Sequence, residues 1–373
     1  MSQEALKERI EELEKELTTT KVNKRTEASV GLLKAKIARL KEELEQKSAK
    51  GGRGEGYAVR KEGDSTVGLL GKPSVGKSTL LSKITNKDSK IGAYEFTTLE
   101  VIPGLLNHRF TNLQVLDLPG IIKGAAGNKG FGKKVLSVVR ACDLVVFVIN
   151  AKHIDEMDML LEEISKAGIR VNKTKPFIQI SKKPKGGIVI PINQSEENIP
   201  EDLIRNIMND NKIVNAEVLI HEENLTVEDL IDAVYGNLVY TKGIICLNKI
   251  DLCKKEEIVQ AKKLLERKYP GYDLYGISSE KEINLEGFKD FVWDNLGFIW
   301  VYLKEQREEP DMERPLVLRK GDTVEDLCSK IHKDFLKKFK YAKVKGPSAK
   351  FEWQRIGLDH KVEHGDIVEV YAR

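Results

Sequence analysis

Lys77 and Ser78 close the run Gly71-Lys72-Pro73-Ser74-Val75-Gly76-Lys77-Ser78, and Thr79 follows directly. The apolar stretch Thr66 to Leu70 precedes it, and Leu80-Leu81-Ser82-Lys83-Ile84 continues with helical spacing. Strand, glycine-rich turn and helix start are the context that the phosphate-binding pattern G-x-x-x-x-G-K-[ST] requires. Gly71 and Gly76 would let the backbone of Pro73, Ser74 and Val75 curl so that successive N–H groups face an anion. The positive end of the helix through Thr79 would point at the same charge. Lys77 would reach the β- and γ-phosphates, and the Ser78 hydroxyl would ligate Mg²⁺.

Further down the chain, residue types recur in the order that a nucleotide switch needs. Ile91 to Leu99 carries Thr97-Thr98. A threonine hydroxyl there can bind Mg²⁺ and the γ-phosphate only while that phosphate is present, and Thr98 is the choice. Leu113 to Leu118 reads as a buried strand ending in Asp117-Leu118-Pro119-Gly120. Asp117 could hold Mg²⁺ through water, and the Gly120 amide could sense the γ-phosphate. The loop beyond it is rich in glycine, at 124, 127, 130 and 132. A central strand from Gly243 to Leu247 then ends in Asn248-Lys249-Ile250-Asp251. A carboxylate at Asp251 can accept from both N1–H and the exocyclic amine of guanine, which adenine lacks. Asn248 could bond the base edge, and the Lys249 stem could lie over the ring. Ser278 and Ser279 end another strand, where Ser279 and its amide could meet the guanine O6. N-K-x-D alone could be a helix-capping Asp after a strand. Behind a phosphate loop and D-x-x-G it points to GTP.

These motifs need a sheet to position them. Apolar runs at Leu113–Leu118, Asp143–Ala151 and Gly243–Leu247 have the both-faces-buried composition of parallel strands. With 373 residues the chain has room for two or three domains. Net charge is +4, too weak by itself to imply nucleic acid, so any basic surface must come from clustering. Cys142, Cys246, Cys253 and Cys328 contain no C-x-x-C pair, so buried free thiols are expected. There is no signal peptide or bilayer-length apolar run, so a cytoplasmic protein is expected.

At the N-terminus Leu6, Ile10, Leu13 and Leu17 repeat with helical spacing, as do Leu33, Ile37, Leu40 and Leu44. They would bury each other as a helical hairpin or offer a seam to a partner or to the nucleotide domain. Lys21 to Arg53 holds ten Lys/Arg against four Glu. A solvated face and an RNA phosphate contact both remain open for that stretch. The interval between Asp117 and Asn248 exceeds two strand–helix–strand units, which take roughly 60 residues, by roughly 70. The excess fits between Val171 and Thr241. There Phe177–Ile180 and Ile188–Ile190 flank Lys182-Lys183-Pro184-Lys185-Gly186-Gly187, a hairpin signature whose basic tip is either solvated turn lysines or an RNA or protein contact, and helices are expected around 203–208 and 227–234. From Arg314 the pattern is strand, turn, one helix over 324–338 and further strands. Six lysines fall between Lys333 and Lys345, interleaved with Phe335, Phe339 and Tyr341. Phosphate contact with stacking would use that composition, while Phe335 and Phe339 at helical spacing would be core.

Phe96-Thr97-Thr98-Leu99, with Asp117 to Gly132, resembles the Obg-related branch of the TRAFAC GTPases. With the two-helix start, the insertion and the C-terminal region, the chain resembles the developmentally regulated GTP-binding protein (DRG) family. The resemblance implies an α/β P-loop GTPase domain, mostly a parallel sheet with helices on both faces. To it would be added an inserted S5-domain-2-like module and a C-terminal ubiquitin-like TGS domain. The expected bounds are 1–56 for the helical region and linker, 57–170 and 242–300 for the GTPase domain, 171–241 for the insertion and 301–373 for TGS. It also implies GTP hydrolysis in translation, with a DRG family regulatory protein as partner and ribosome or RNA contact; no membrane or DNA is expected. One feature departs from signalling GTPases: Ile121 stands where a water-orienting glutamine follows D-x-x-G. Turnover should therefore be slow alone, with the missing element supplied in trans or by potassium, although Ser74 replaces the asparagine common among potassium users. An RNA-binding scaffold with structural nucleotide and a ribosome-assembly GTPase are the alternative functions.

Overall fold

The computed structural model describes residues 3–20, 27–49, 63–85, 102–118, 120, 138–191, 199–221, 225–235, 238–305, 308–331 and 333–372. In chain order, helices α1 (Gln3–Thr19) and α2 (Glu27–Ala49) precede strand β1 (Ser65–Leu70) and helix α3 (Lys77–Ile84). Strands β2 (Ile102–His108), β3 (Thr111–Asp117) and β4 (Leu144–Asn150) lead to α4 (Glu156–Lys166) and β5 (Ile169–Val171). Next come β6 (Ile178–Lys182), β7 (Ile188–Val189), α5 (Glu201–Asp210), β8 (Ala216–Ile220), α6 (Val227–Tyr235) and β9 (Val239–Asn248). A 3-10 turn at Ile250–Leu252 is followed by α7 (Lys255–Lys268), β10 (Leu274–Gly276) and α8 (Leu285–Asn295). The last elements are β11 (Phe298–Leu303), β12 (Leu316–Arg319), α9 (Val324–Ile331), α10 (Lys333–Lys338), β13 (Phe339–Lys345), β14 (Gln354–Ile356) and β15 (Ile367–Ala372).

The chain divides into two compact units, residues 57–172 with 241–373, and residues 1–56 with 173–240. In the first, a sheet runs in the order β10-β9-β4-β1-β3-β2, with β5 also paired to β9. β1 lies parallel to β3 and β4, and β9 parallel to β4 and β10. The β2–β3 pair, a hairpin, is antiparallel. The period-two pleat sends Val145, Phe147 and Ile149 to one face, with Leu160 of α4 and Leu265 of α7. Val146 and Val148 go to the other, with Leu80 of α3 and Phe288 of α8. Leu80 is 0% exposed, a burial worth about 1.5–3 kcal/mol. Such a sheet opens its binding crevice outside the carboxyl ends of its strands.

A second sheet in the same unit, ordered β12-β11-β15-β13-β14, wraps α9. Val301, Val344, Val368 and Ile356 meet Val324, Leu327 and Cys328 in its core. β11 crosses the boundary expected at residue 300, because its pairing with β12 and β15 makes Phe298 part of this sheet. The helix expected over 324–338 is two helices, and Phe339 starts a strand. Alternation decides this: Ala342 and Val344 are buried two residues apart, a spacing that helical geometry would turn to opposite faces. Lys340, Lys343 and Lys345 are therefore strand residues and not one helix face.

The two sheets meet through aromatic packing. Phe298 and Val317 join the core cluster beneath α8, with Trp293, and Trp300 packs on it. The tip of the β2–β3 hairpin closes the contact. Arg109 Nε lies 2.8 Å from Asp290, His108 Nε2 2.8 Å from the same carboxylate, and Trp300 Nε1 donates to the Arg109 carbonyl at 3.3 Å. On the far side Arg319 donates to Ser65 Oγ at 2.9 Å and to the Asp64 carbonyl at 3.3 Å.

In the other unit α1 and α2 bury Ile10, Leu13 and Ile37 against one another. α2 also places Ala35 in the core formed by α5, α6 and the small sheet β6-β8-β7. The N-terminal helices thus pack both on each other and on the insertion. The hairpin expected around the basic tip is not formed: β8 lies between the two strands, antiparallel to β6 and parallel to β7. The tip ends at Gly186 and Gly187, at φ 113° and 74°, with Lys183 paired to Glu217 at 2.8 Å. No helix among the described residues is long and apolar enough to cross a membrane. Cys142, Cys246 and Cys328 are buried free thiols, and Cys253 is half-buried.

Candidate nucleotide site

β1 delivers the loop from Gly71 to Gly76, and α3 begins at Lys77. Gly76 sits at φ 97°, in the left-handed region that favours glycine, and no side chain caps the helix. The first-turn N–H groups are thereby left facing the loop, as an anion requires. Ser74 is also left-handed, at φ 64°. Lys77 is buried, and its Nζ donates to the Gly71 and Lys72 carbonyls at 3.2 and 3.0 Å. Burial pushes its pKa down, opposed by the Asp117 charge. A phosphate would take over donors that now serve loop carbonyls.

Asp117, at the end of β3, receives the Ser78 hydroxyl at 2.5 Å on Oδ2. Its other oxygen, Oδ1, is buried without a hydrogen-bond partner. Burial raises the Asp117 pKa, against the opposing pull of Ser78 and Lys77. An unmet carboxylate oxygen beside a serine hydroxyl is the donor set a hard cation with its own waters uses. The fit of Ser78 and Asp117 to Mg²⁺ is thus supported by the structure's own polar accounting. Among the described residues no group of three or more His, Cys, Asp or Glu could hold a metal ion. Gly120 abuts the loop: a Cβ there would lie 2.6 Å from the Pro73 nitrogen. Thr98 and the glycine-rich stretch 121–137 lie outside the described residues.

The Asn248–Asp251 segment is fastened to the Gly71–Ser78 loop. Asn248 Nδ2 donates to the Val75 carbonyl at 2.9 Å, and Lys249 Nζ to the Ser74 carbonyl at 2.8 Å. Asn248 Oδ1 accepts from the Ser279 amide and hydroxyl, each at 3.0 Å, and from the Lys249 amide at 2.8 Å. Asn248 is 1% exposed. One N–H of its amide and its oxygen are taken up by the protein, as are the N–H and hydroxyl hydrogen of Ser279; the second amide N–H is the donor that could meet the base edge. The reason is geometric: Asn248 lies where β9, β10 and the phosphate loop converge, and buried polar atoms there take protein partners. A Cβ on Gly76 would stand 2.5 Å from Asn248 Nδ2, so that glycine also makes room for the brace. Asp251 is exposed, and its carboxylate takes no hydrogen bond among the described residues. Ser278 is buried, and its hydroxyl accepts from the Lys281 amide at 3.1 Å. Thr79 is half-buried on the first turn of α3.

Known proteins match this arrangement. The 50S ribosome-binding GTPase family profile covers residues 66–183, the C-terminal region of the same domain covers 185–298, and the TGS domain covers 299–372. A GTP-binding protein of Methanocaldococcus jannaschii is 45% identical over 368 residues, covering 99% of this chain and 93% of its own. Human developmentally-regulated GTP-binding protein 2 is 40% identical over 368 residues, covering 98% and 99%. The chain belongs to the developmentally regulated GTP-binding protein family. Among solved structures, the Schizosaccharomyces pombe YchF GTPase aligns with 84% of the DRG-family chain and 99% of its own, at 17% identity and TM-score 0.48. Family membership makes the chain a guanine-nucleotide-binding GTPase.

Two contacts escaped motif reading, one of them at the DRG-family site. Lys72 Nζ lies 3.5 Å from Glu156, whose side chain is 11% exposed, tying the phosphate loop to the first turn of α4. At the opposite, amino end of the strands, Arg319 approaches Asp143 at 3.7 Å, just before β4. Neither pair follows a local pattern, since each joins segments separated by many residues.

Proposed function

We propose that this GTPase is a nucleotide-dependent switch acting on ribosomes, slow alone and stimulated by a partner or a monovalent cation, potassium first. The observation that carries the reading is the double tie from Asn248 and Lys249 to Val75 and Ser74. It makes base recognition and phosphate grip one rigid unit, as guanine-specific triphosphate binding requires. In this reading Lys77 and the loop amides of Gly71 to Thr79 hold the phosphates, Asp251 reads the guanine, and Asn248 with Ser279 keeps Asp251's strand end in place. Ser78 and Asp117 would hold Mg²⁺, which supplies positive charge against the phosphate oxygens. Gly120 would report the γ-phosphate through its closeness to Pro73, and Thr98 would do so from the other switch. Hydrolysis is then a matter of position and charge, with no covalent step for the protein. Ile121 offers no hydrogen bond to the attacking water, which is why an outside element is needed. A ribosomal target is supported by the description of the matched family and by the TGS domain; a DRG family regulatory protein is the proposed partner. The sequence-derived module bounds are part of this proposal, except that the C-terminal sheet begins at Phe298.

The test is GTP turnover with and without potassium and intact ribosomes, in the parent and Lys77→Ala, alongside ribosome co-sedimentation with GTP and GDP. Stimulated turnover and GTP-favoured sedimentation, both lost in Lys77→Ala, are expected. Fast turnover by the protein alone, or sedimentation indifferent to nucleotide and to Lys77, would refute it; the second result describes a scaffold.

A further inference from the structure

The β2–β3 hairpin joins two distant places. Its open end lies at the nucleotide site: β3 stops at Asp117, paired with Ile102, and β2 starts shortly after Thr98 in sequence. Its closed end is the two-residue turn Arg109-Phe110, beyond the His108–Thr111 pair. Seven residues per strand, at about 3.4 Å each, put the two ends about 20 Å apart. α8 runs in the same direction. It begins after Asn284, whose Nδ2 donates to the Gly276 carbonyl at 3.0 Å beside the Ser278–Ser279 loop, and it continues into β11 through Leu296-Gly297.

The turn is built against its own backbone preference. Arg109 and Phe110 stand at φ 45° and 62°. A two-residue hairpin turn with both central residues left-handed is the type that asparagine and glycine favour. With full side chains it persists only where the surroundings over-determine it. Here they do. The Arg109 guanidinium meets Asp290 at 2.8 Å and Asp294 at 3.3 Å, and it lies 5.2 Å from the centre of the Trp293 ring. The Arg109 carbonyl accepts from Trp300 Nε1, and Phe110 meets the Trp300 ring edge-on at 5.8 Å. Beneath this clamp Trp293 Nε1 and Asn295 Oδ1 are buried without a hydrogen-bond partner among the described residues. A strained turn and two orphaned polar atoms at one junction mark an arrangement held at a cost, which a small shift elsewhere can tip.

We propose that Arg109 and Asp290 are positioning residues of the nucleotide site: by clamping the hairpin tip to α8, they tie the place of Asp117 to the place of the second sheet. The inference rests on the switch reading above. A change of contacts at Ser78 and Asp117 tilts the hairpin about its pairing with β1, and the clamped tip passes the tilt to α8 and β11. Coupling of this kind is reciprocal, so a displacement of the second sheet alters the preference for triphosphate over diphosphate. Cohesion alone does not explain the turn. Asn-Gly would close the hairpin without strain, and Trp300 with Trp293 already packs the two sheets together.

The test combines Arg109→Asn with Phe110→Gly, which closes the same turn without the clamp. A second variant, Asp290→Ala, leaves the turn alone and removes the carboxylate that His108 Nε2 also approaches at 2.8 Å. The full chain is used throughout, with Trp353→Phe so that tryptophan emission reports only Trp293 and Trp300 at the junction. Emission is compared in Mg²⁺ with GDP and with a non-hydrolysable GTP analogue, and calorimetry gives the affinity for each. The parent should emit differently with the two nucleotides, and both variants should lose most of that difference. The ratio of analogue to GDP affinity should shift about fivefold or more in both, the lower end for coupled sites. Arg109→Lys, which keeps a cation facing Asp290, should retain at least half of the emission difference. Circular dichroism confirms that each variant is folded. No emission difference in the parent would overturn the proposal. So would variants that melt earlier yet keep the parent's emission difference and an affinity ratio within about twofold, since the clamp would then serve cohesion alone. Ribosome sedimentation that follows the nucleotide while emission in the parent does not sinks the clamp and leaves the switch standing. If neither follows the nucleotide, the switch falls and the clamp's role with it.

Discussion

Asn248→Ala is the substitution that separates a brace from a base contact. The side chain holds four hydrogen bonds, to the Val75 carbonyl, the Ser279 amide and hydroxyl, and the Lys249 amide. After truncation the Ser279 hydroxyl can rotate and the half-buried Lys249 amide can find water. The Val75 carbonyl and Ser279 N–H cannot, and an orphaned buried group costs about 1–3 kcal/mol. Loss of the brace should therefore destabilise the nucleotide-free protein by about 2–6 kcal/mol, with weaker GDP binding as a consequence. Urea unfolding followed by tryptophan fluorescence reads this directly, because Trp293, Trp300 and Trp353 all lie in residues 241–373 of the unit that holds the site. Asn248→Asp should be comparably harmful: it keeps an acceptor for Ser279 but sets a carboxylate oxygen against the Val75 carbonyl. If the Asn248 side chain served the base alone, apo stability would stay at the parent value while GDP affinity fell. That pattern would refute the reasoning.

Three more outcomes follow from the same geometry. Asp117→Asn should raise the melting temperature of the nucleotide-free protein while weakening Mg²⁺-dependent GTP binding about tenfold or more, the size of a lost charged contact. The sign comes from the raised Asp117 pKa: its ionised form is penalised by burial, so stability falls as pH rises through the window between ordinary and raised values, and a neutral amide escapes that loss. A lower melting temperature for the variant would contradict it. GTP affinity should fall on the acid side at a higher pH than an ordinary carboxylate would give, and on the alkaline side at a lower pH than an ordinary lysine, since Lys77 is shifted down. Asp117→Asn should remove the acid limb only, and calorimetric titration across pH checks both. At the junction of the two sheets, Arg319→Ala should cost about 1 kcal/mol or less, because the side chain is 43% exposed. Trp300→Ala should cost more, losing ring contacts to Trp293 and Phe110 as well as the bond to Arg109; urea titration yielding the reverse ranking would contradict this assignment.

What was legible in the chain was whatever a short window contains. The phosphate loop could be read because one strand, one turn and one helix start lie within Thr66 to Ile84, and the physics of an anion cradle is local. The same holds for Asp117 and for Asn248 to Asp251, where a strand's apolar run stops at the residue that does chemistry. Side-chain duties were less legible, because they depend on which strand ends converge. Asn248 has the right type and position for a base contact, yet β9 sets it beside both Val75 and Ser279, partners 173 and 31 residues away in sequence. Burial then assigns one amide N–H and the oxygen to them. The lysine-rich stretch near Phe339 shows the same limit from another side. Its composition suits a helix face or a strand face equally, and only the pairing of β13 with β15 turns Tyr341 toward Tyr371 and both away from the core. A motif names the chemistry a residue type can perform; whether its atoms are free to perform it is settled by neighbours that no local window contains.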